Sequence, residues 1–257
     1  MFWPDHSTRV ASFQFACGME EHRDAILAGG SRFLQVAAKL KAEAKALNVG
    51  ENNPSELPRL LITRSDLVVA IGLSRIDITL RPAEHVAHSF GAALEYFEAT
   101  ISPVLPDLIG SNWKHLWSGL IAECEFPGPE PMVLGVERAA PVFDTLLKID
   151  RKGRKLSSFE IKFGYESGDF NRNFVIQCYE TRQLPPTTFD AKDGVVRIDF
   201  ENLAITSSGV GIVIDINNKP SKNDHSLQKQ FEVLIQEHLD VFEALPAELG
   251  IARRNNT

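Results

Sequence analysis

The sequence predicts an α+β fold in which an antiparallel sheet carries amphipathic helices on one face. Segments of alternating apolar and polar residues are separated by breaks of only two to five residues. Such short breaks favour antiparallel hairpins, because parallel strands need long crossovers. The strand segments also come in runs, and each run is followed by one amphipathic helix, an order typical of α+β proteins. Two β-rich halves, each closed by a helix, are one arrangement that satisfies this pattern.

The first half begins with an alternation of Phe13, Phe15 and Cys17 with polar or small residues, which predicts a short strand. A stripe of apolar residues at helical spacing then predicts a helix over 31–48, with Ser31 as its N-cap. The elements predicted next are a strand hairpin (60–62 and 67–80), a helix that starts after Pro82 (83–102) and a strand (116–126).

The second half begins after residues 127–141, which hold four of the 14 prolines and are typical of a linker or crossover. The elements predicted beyond it are strands at 146–149, 156–165, 173–180, 195–200 and 210–216, and a helix at 224–245. The chain therefore divides into an N-terminal α+β half (1–126), a proline-rich crossover (127–141), a C-terminal β-rich half with a closing helix (142–250) and a polar tail (251–257).

The composition is that of an ordinary globular protein and excludes several classes. The chain has 257 residues, of which 44% are hydrophobic, and a net charge of −7, so it is not a disordered chain. Its three cysteines include no Cys-x-x-Cys pair and make neither a disulfide framework nor a cysteine-rich zinc site. The sequence shows no membrane span and no signal peptide, so we expect a cytoplasmic protein without a membrane partner.

One basic cluster interrupts this acidic chain. Its five cations are Lys148, Arg151, Lys152, Arg154 and Lys155. They are interpreted either as the solvated tip of a hairpin between two strands or as a ribbon that contacts phosphate. Nucleic acid is therefore a possible partner, although the net negative charge does not favour it.

Four predicted strands carry an Ile-Asp pair. The aspartates are Asp77, Asp150, Asp199 and Asp215. Alternation places each of them on the face opposite its isoleucine, which is the face that a half-solvated sheet turns to water. Two of them on neighbouring strands could share a divalent cation, but their spacing does not require it.

Asp150, Glu160 and Lys162 form the most specific enzymatic pattern. An aspartate followed by Glu-x-Lys on the next strand resembles the catalytic core of restriction-endonuclease-like nucleases. The resemblance implies that the two carboxylates would hold Mg²⁺ and the lysine would polarise the attacking water. The alternative function is therefore a Mg²⁺-dependent nuclease. Glu-x-Lys is also what an amphipathic strand shows on its solvated face.

The histidines do not define a metal site. His85 and His88 stand three residues apart on a predicted helix, but no third ligand is identifiable. His238 falls within the apolar stripe of the last helix, where a hydrogen-bonded core or interface histidine is expected. The sequence has no phosphate-binding glycine loop and no metalloprotease motif, so we expect neither a cofactor nor a metal.

The order of elements resembles a group of sporadically distributed bacterial proteins of about this size. The resemblance rests on the hairpin at 60–80, the segment Trp117-Ser-Gly-Leu-Ile-Ala, the segment Gly211-Ile-Val-Ile-Asp-Ile-Asn and the following helix with its His and Phe. That group has no established activity. The resemblance implies an α+β fold and a bacterial origin, and the patchy distribution of the group hints at mobile or defence-related gene clusters.

We therefore expect a non-enzymatic binding or assembly module that contacts a protein partner or associates with itself. The candidate contact surface is a stripe on the last helix, formed by Leu227, Phe231, Leu234, Val241 and Phe242. The same stripe can instead pack on the sheet of its own chain, since most amphipathic helices do so.

Overall fold

The computed structural model describes residues 8–21, 30–49, 53–109, 114–128, 134–148, 152, 154–183, 203–218 and 226–249. The strands in these ranges form one antiparallel sheet. They are β1 (Arg9–Met19), β2 (Glu43–Ala46), β3 (Leu60–Arg64), β4 (Leu67–Ile71), β5 (Arg75–Leu80), β6 (His115–Pro127), β7 (Glu160–Ser167), β8 (Phe170–Arg182) and β9 (Ile205–Asn218).

The helices confirm the predicted α+β class. They are α1 (Gly30–Leu40), α2 (Glu84–Ala87), α3 (Phe90–Ile101), α4 (Leu105–Leu108), α5 (Gly135–Leu147) and α6 (Leu227–Glu248). Among the described residues, no helix combines the length and hydropathy that crossing a membrane requires.

The two halves of the chain follow one plan within a single sheet. The strand order is β2-β3-β4-β5-β1-β6-β9-β8-β7, so the first strand of each half lies at the centre. In each half this strand leads to a helix (α1 or α5), then to a meander of three strands (β3–β5 or β7–β9), and then to a closing helix (α3 or α6). The structural halves are thus β1 to α4 and β6 to α6. The predicted division differs from them, because it ends the first half at residue 126 and so assigns the strand at 116–126, which is β6, to the first half.

The core lies between the sheet and the helices, on one face of the sheet. Phe15 on β1 meets Phe231 on α6 edge-on, with ring centroids 5.1 Å apart, and Phe97 on α3 lies 5.7 Å from Phe231. All three side chains are fully buried. Truncating such a ring to alanine costs about 3–5 kcal/mol, so these contacts hold both closing helices on the central strands.

Helix α1 ends earlier than the predicted 31–48. Lys41 adopts a left-handed φ of 52°, and the N–H groups of Lys41 and Ala42 bond to carbonyls of the last turn at 3.1 and 2.9 Å. This is a Schellman ending with lysine in place of the usual glycine. The residues that follow form β2, which pairs with β3 at the edge of the sheet.

Two other predicted elements are each divided in the structure. The predicted strand 67–80 is two strands, β4 and β5, because Gly72 turns the chain where an added Cβ would lie 2.6 Å from the carbonyl oxygen of Glu56. The predicted helix 83–102 is α2 and α3, because Ser89 adopts an extended conformation and caps α3. The predicted strand 195–200 lies outside the described residues.

The strand predicted at 146–149 is wrong for its three described residues, because Leu146 and Leu147 are in the last turn of α5 and Lys148 is its C-cap. Leu146 lies against the core from that helix, so its apolar spacing belongs to a helical stripe. The predicted crossover 127–141 likewise includes the end of β6 at Pro127 and the first half of α5, with Pro141 inside the helix.

His238 is the buried histidine that the stripe on α6 predicts. Its Nδ1 lies 2.9 Å from the carbonyl oxygen of Leu234, and its Nε2 lies 3.4 Å from that of Ile214 on β9. The side chain is fully buried, and this desolvation lowers the pKa of His238 to about 4 despite the nearby carbonyls. The histidine is therefore neutral in the folded protein at neutral pH.

We expect this histidine to make the protein acid-sensitive. Because the unfolded chain binds a proton near pH 6.5 and the folded chain only near pH 4, the free energy of unfolding falls as the pH drops between these values, by at most about 3 kcal/mol from this group. Urea unfolding at a series of pH values should show a shallower acid slope for His238→Met than for the wild type. His85→Gln, at an exposed position, is the control and should keep the wild-type slope. Parallel curves for wild type and His238→Met would contradict the expectation.

Candidate binding site on the open face of the sheet

The face of the sheet opposite the helices holds the candidate site. Alternation along β1 turns Phe13 and Phe15 to the helices and Gln14 and Ala16 to the other face, which we call the open face. On β9, Ile214 and Ile216 are likewise buried, while Asp215 and Asn217 point to the open face. The open face is therefore polar and rich in small residues at its centre.

A cavity of about 430 Å³ lies at the centre of this open face. Its lining comes from five adjacent strands, β5, β1, β6, β9 and β8. Gly119 on β6 lies in the floor of the cavity and has no side chain to fill it. An added Cβ there would lie 3.0 Å from the Cβ of Asn217. Ala16, Ile121 and the indole of Trp117 supply its apolar wall. The site thus sits where the two halves of the chain meet.

Trp117 is held in place by the strand beside it. Its register partner is Gly18, and an added Cβ at Gly18 would lie 2.0 Å from the indole Nε1, so the ring occupies the space above that glycine. The guanidinium of Arg75 lies 5.5 Å from the centre of the Trp117 ring. Asp77 in turn binds Arg75 through two nitrogens, Nε at 2.9 Å and Nη2 at 2.7 Å. The positive charge at this end of the cavity is therefore already paired.

Asp215 is the acceptor at the end of a chain of amides. Asn171 donates to the Oδ1 of Asn217 at 3.0 Å, and Asn217 donates to Asp215 at 3.2 Å. Asn173, the register partner of Asp215 on β8, donates to it at 3.3 Å. These amides fix the carboxylate, and its partners among the described residues are neutral. The cavity therefore presents a positioned negative charge.

Polar side chains beneath the cavity connect the sheet to α6. The backbone N–H of Ser118 donates to Asn218 Oδ1 at 2.7 Å, and the hydroxyl of Ser118 donates to Gln230 Oε1 at 3.2 Å. Asn218 also donates to the same oxygen of Gln230. Because Asn218 also lines the cavity, these hydrogen bonds connect the lining of the cavity to α6.

The predicted contact stripe on the last helix lies in the core. The side chains of Phe231 and Leu234 are fully buried and those of Leu227 and Val241 nearly so, while Phe242 stacks on Phe90 at 3.9 Å. The stripe therefore packs within its own chain and does not form an exposed contact surface. The helix therefore builds the scaffold beneath the site.

The basic cluster does not form a hairpin tip. Lys148 ends α5 with a left-handed φ of 51°, so this segment connects a helix to β7. Lys152, Arg154 and Lys155 follow it, and Arg151 lies outside the described residues. The hairpin interpretation fails because the residues before the cluster are helical.

The predicted nuclease residues are brought together only in part. Glu160 and Lys162 lie on the same face of the edge strand β7 and form an ion pair at 3.1 Å. Asp150 lies outside the described residues. Within the described ranges, no group of three or more His, Cys, Asp or Glu side chains could hold a metal ion.

The other candidate titratable residues, His88 and the cysteines Cys17 and Cys124, are paired with a neighbour or buried in the core. His88 pairs with Glu84, one turn away, at 3.1 Å. Cys17 and Cys124 are buried in the core, and this burial raises the pKa of the Cys17 thiol to about 12 and that of Cys124 further. Such thiols are not ionised at neutral pH and do not act as nucleophiles.

The sequence indicated parts of this site without assembling them. Alternation predicts Asp77 and Asp215 on the solvated face of their strands, and both lie on that face. They do not share a cation site, because β1 and β6 separate their strands. Trp117 and Asn171 were missed as site residues, since only the strand order, which no local pattern encodes, brings them together.

Comparison with known proteins adds no assignment: no protein-family model and no curated protein sequence matches the chain.

The contact between Gly18 and Trp117 predicts a spectroscopic effect. In a Trp3→Phe, Trp113→Phe background, Gly18→Ala should displace the indole from the sheet and shift its emission to longer wavelength, because the ring becomes more hydrated. Gly30→Ala is the matched control, since nothing lies within 4 Å of an added Cβ there. An unchanged emission spectrum for Gly18→Ala would contradict the packing of Trp117 described above.

Proposed function

We propose that the protein is a non-enzymatic binding module, cytoplasmic and of bacterial origin, that holds a partner protein on the open face of its sheet. One observation carries the proposal. The described helices lie on a single face of the sheet, and at the centre of the opposite face five strands line a cavity with hydrogen-bonded polar side chains. Concave sites of this kind, with a few positioned polar groups, are where proteins bind ligands.

The charge of the open face favours a basic partner. From β5 to β7 its arginines and lysine are each paired with a carboxylate on the same face: Arg9 with Glu125, Arg75 with Asp77, and Lys162 with Glu160. Further carboxylates on this face are those of Glu123 and Asp215. The surplus is negative, as is the net charge of −7 of the chain, so basic surfaces are attracted and acidic ones repelled.

A second copy of the chain fits this surface less well than a different, basic protein. Two copies would each carry a net charge of −7 and repel one another at long range. Light scattering over a range of concentrations tests self-association directly, because it measures the mass of the particles in solution.

The proposal is tested by partner capture with matched variants. Wild-type protein should enrich one or more basic proteins from native cells over a tag-only control, and Ile121→Arg, which fills the cavity and adds a positive charge, should lose them. Leu34→Arg makes the same charge change on α1, where the leucine is 62% exposed, and should capture the partner as the wild type does. Gln14→Arg is the second cavity variant should Ile121→Arg unfold. Equal capture by all variants, or no enriched protein, would contradict the proposal.

The nuclease alternative and the binding module predict opposite results in a plasmid-nicking assay. For a binding module we expect no Mg²⁺-dependent nicking of supercoiled plasmid, because Glu160 is engaged by Lys162 on an exposed edge strand. Glu160→Gln is the decisive variant, with Glu123→Gln as a control carboxylate on the same face. Nicking by the wild type that only Glu160→Gln abolishes would establish the nuclease in place of the binding module.

A further inference from the structure

We propose that the cavity on the open face receives one arginine side chain of the partner protein, with its guanidinium on Asp215. The inference rests on the proposed function and deepens it by naming the group that is recognised. It follows from the charge, the hydrogen-bonding groups and the apolar wall of the cavity.

The charge selects a cation. Among the described residues that line the cavity, Arg75 is the one with a positive charge. Its guanidinium lies beside the Trp117 ring and is bound by Asp77. Asp215 brings a negative charge whose described partners are two neutral amides. A bound cation would therefore complete the only ionic group of the described lining that lacks a counter-charge.

The hydrogen-bonding pattern selects a ligand that donates. Asn171, Asn173 and Asn217 each donate an amide N–H to Asn217 or Asp215, so the chain of hydrogen bonds ends on the carboxylate. A carboxylate offers about four acceptor positions, and the two amides occupy two of them. The free positions suit the paired N–H groups of a guanidinium, which binds carboxylates through two parallel hydrogen bonds.

The apolar wall selects an amphipathic side chain. Ala16, Ile121 and the indole of Trp117 line the cavity beside Asp215. An arginine buries a stem of three methylene groups and carries its charge at the tip, so stem and tip match the wall and the carboxylate. A neutral ligand of the same shape would leave Asp215 without its cation, and an anion would be repelled.

The test uses N-acetyl-L-arginine amide as the probe and the full-length protein. Saturable binding to the wild type, followed by Trp117 emission in the Trp3→Phe, Trp113→Phe background, should weaken about ten-fold in Asp215→Asn, as expected for a lost charged hydrogen bond. Glu123→Gln, which removes a carboxylate on the same face but outside the cavity, should bind within about two-fold of the wild type. The citrulline analogue, which lacks the charge, should bind about ten-fold more weakly than arginine.

Three outcomes would overturn the inference: no saturable binding, equal binding to wild type and Asp215→Asn, or equal binding of arginine and citrulline analogues. Its failure is distinguishable from that of the proposed function. If Ile121→Arg loses the partner while Asp215→Asn captures it at the wild-type level, the open face binds a protein but does not read an arginine at Asp215.

Discussion

The pairing of β1 with β6 is the interaction on which the rest of the structure depends. It joins the first strand of one half to the first strand of the other, with Phe15 opposite Leu120 and Phe13 opposite Ala122. The aromatic rings of β1 thereby reach the closing helices of both halves, through Phe97 on α3 and Phe231 on α6. These buried side chains fill the space between the central strands and both helices.

The same pairing explains where the proposed binding surface lies. A sheet has two faces, and the helices of the described residues lie on only one of them. Burial of the phenylalanine and isoleucine face leaves the alternate residues of β1, β6 and β9 in water, and selection for solubility alone would favour charged residues there. Instead the centre carries glycines, amides and one tryptophan, with the acidic side chains fixed by neighbours. This combination of shape and positioned acceptors suits the proposed role of the open face in binding a partner.

Local patterns predicted most of the scaffold and little of the site. Period-two alternation predicted β1, strand-like patterns predicted β6, β8 and β9, and the stripe on α6 predicted His238 in the core or at an interface. The errors arose where two signals compete. Ala44 continues the spacing of α1 but belongs to β2, because a lysine accepts a left-handed φ that is usual for glycine. The site could not be predicted because Trp117 and Asn171 are 54 positions apart and converge only through the order of strands.

The central position of β1 also bears on how the chain is made. One edge of β1 pairs with β5, which lies within the first 80 residues. The other edge pairs with β6, which is synthesised later because it starts at His115. During synthesis the nascent first half therefore presents a long unpaired strand edge, with Phe13 and Phe15 beside it. Such edges recruit other chains. Termination of synthesis between β1 and β6 would therefore release a fragment whose unpaired β1 edge favours aggregation.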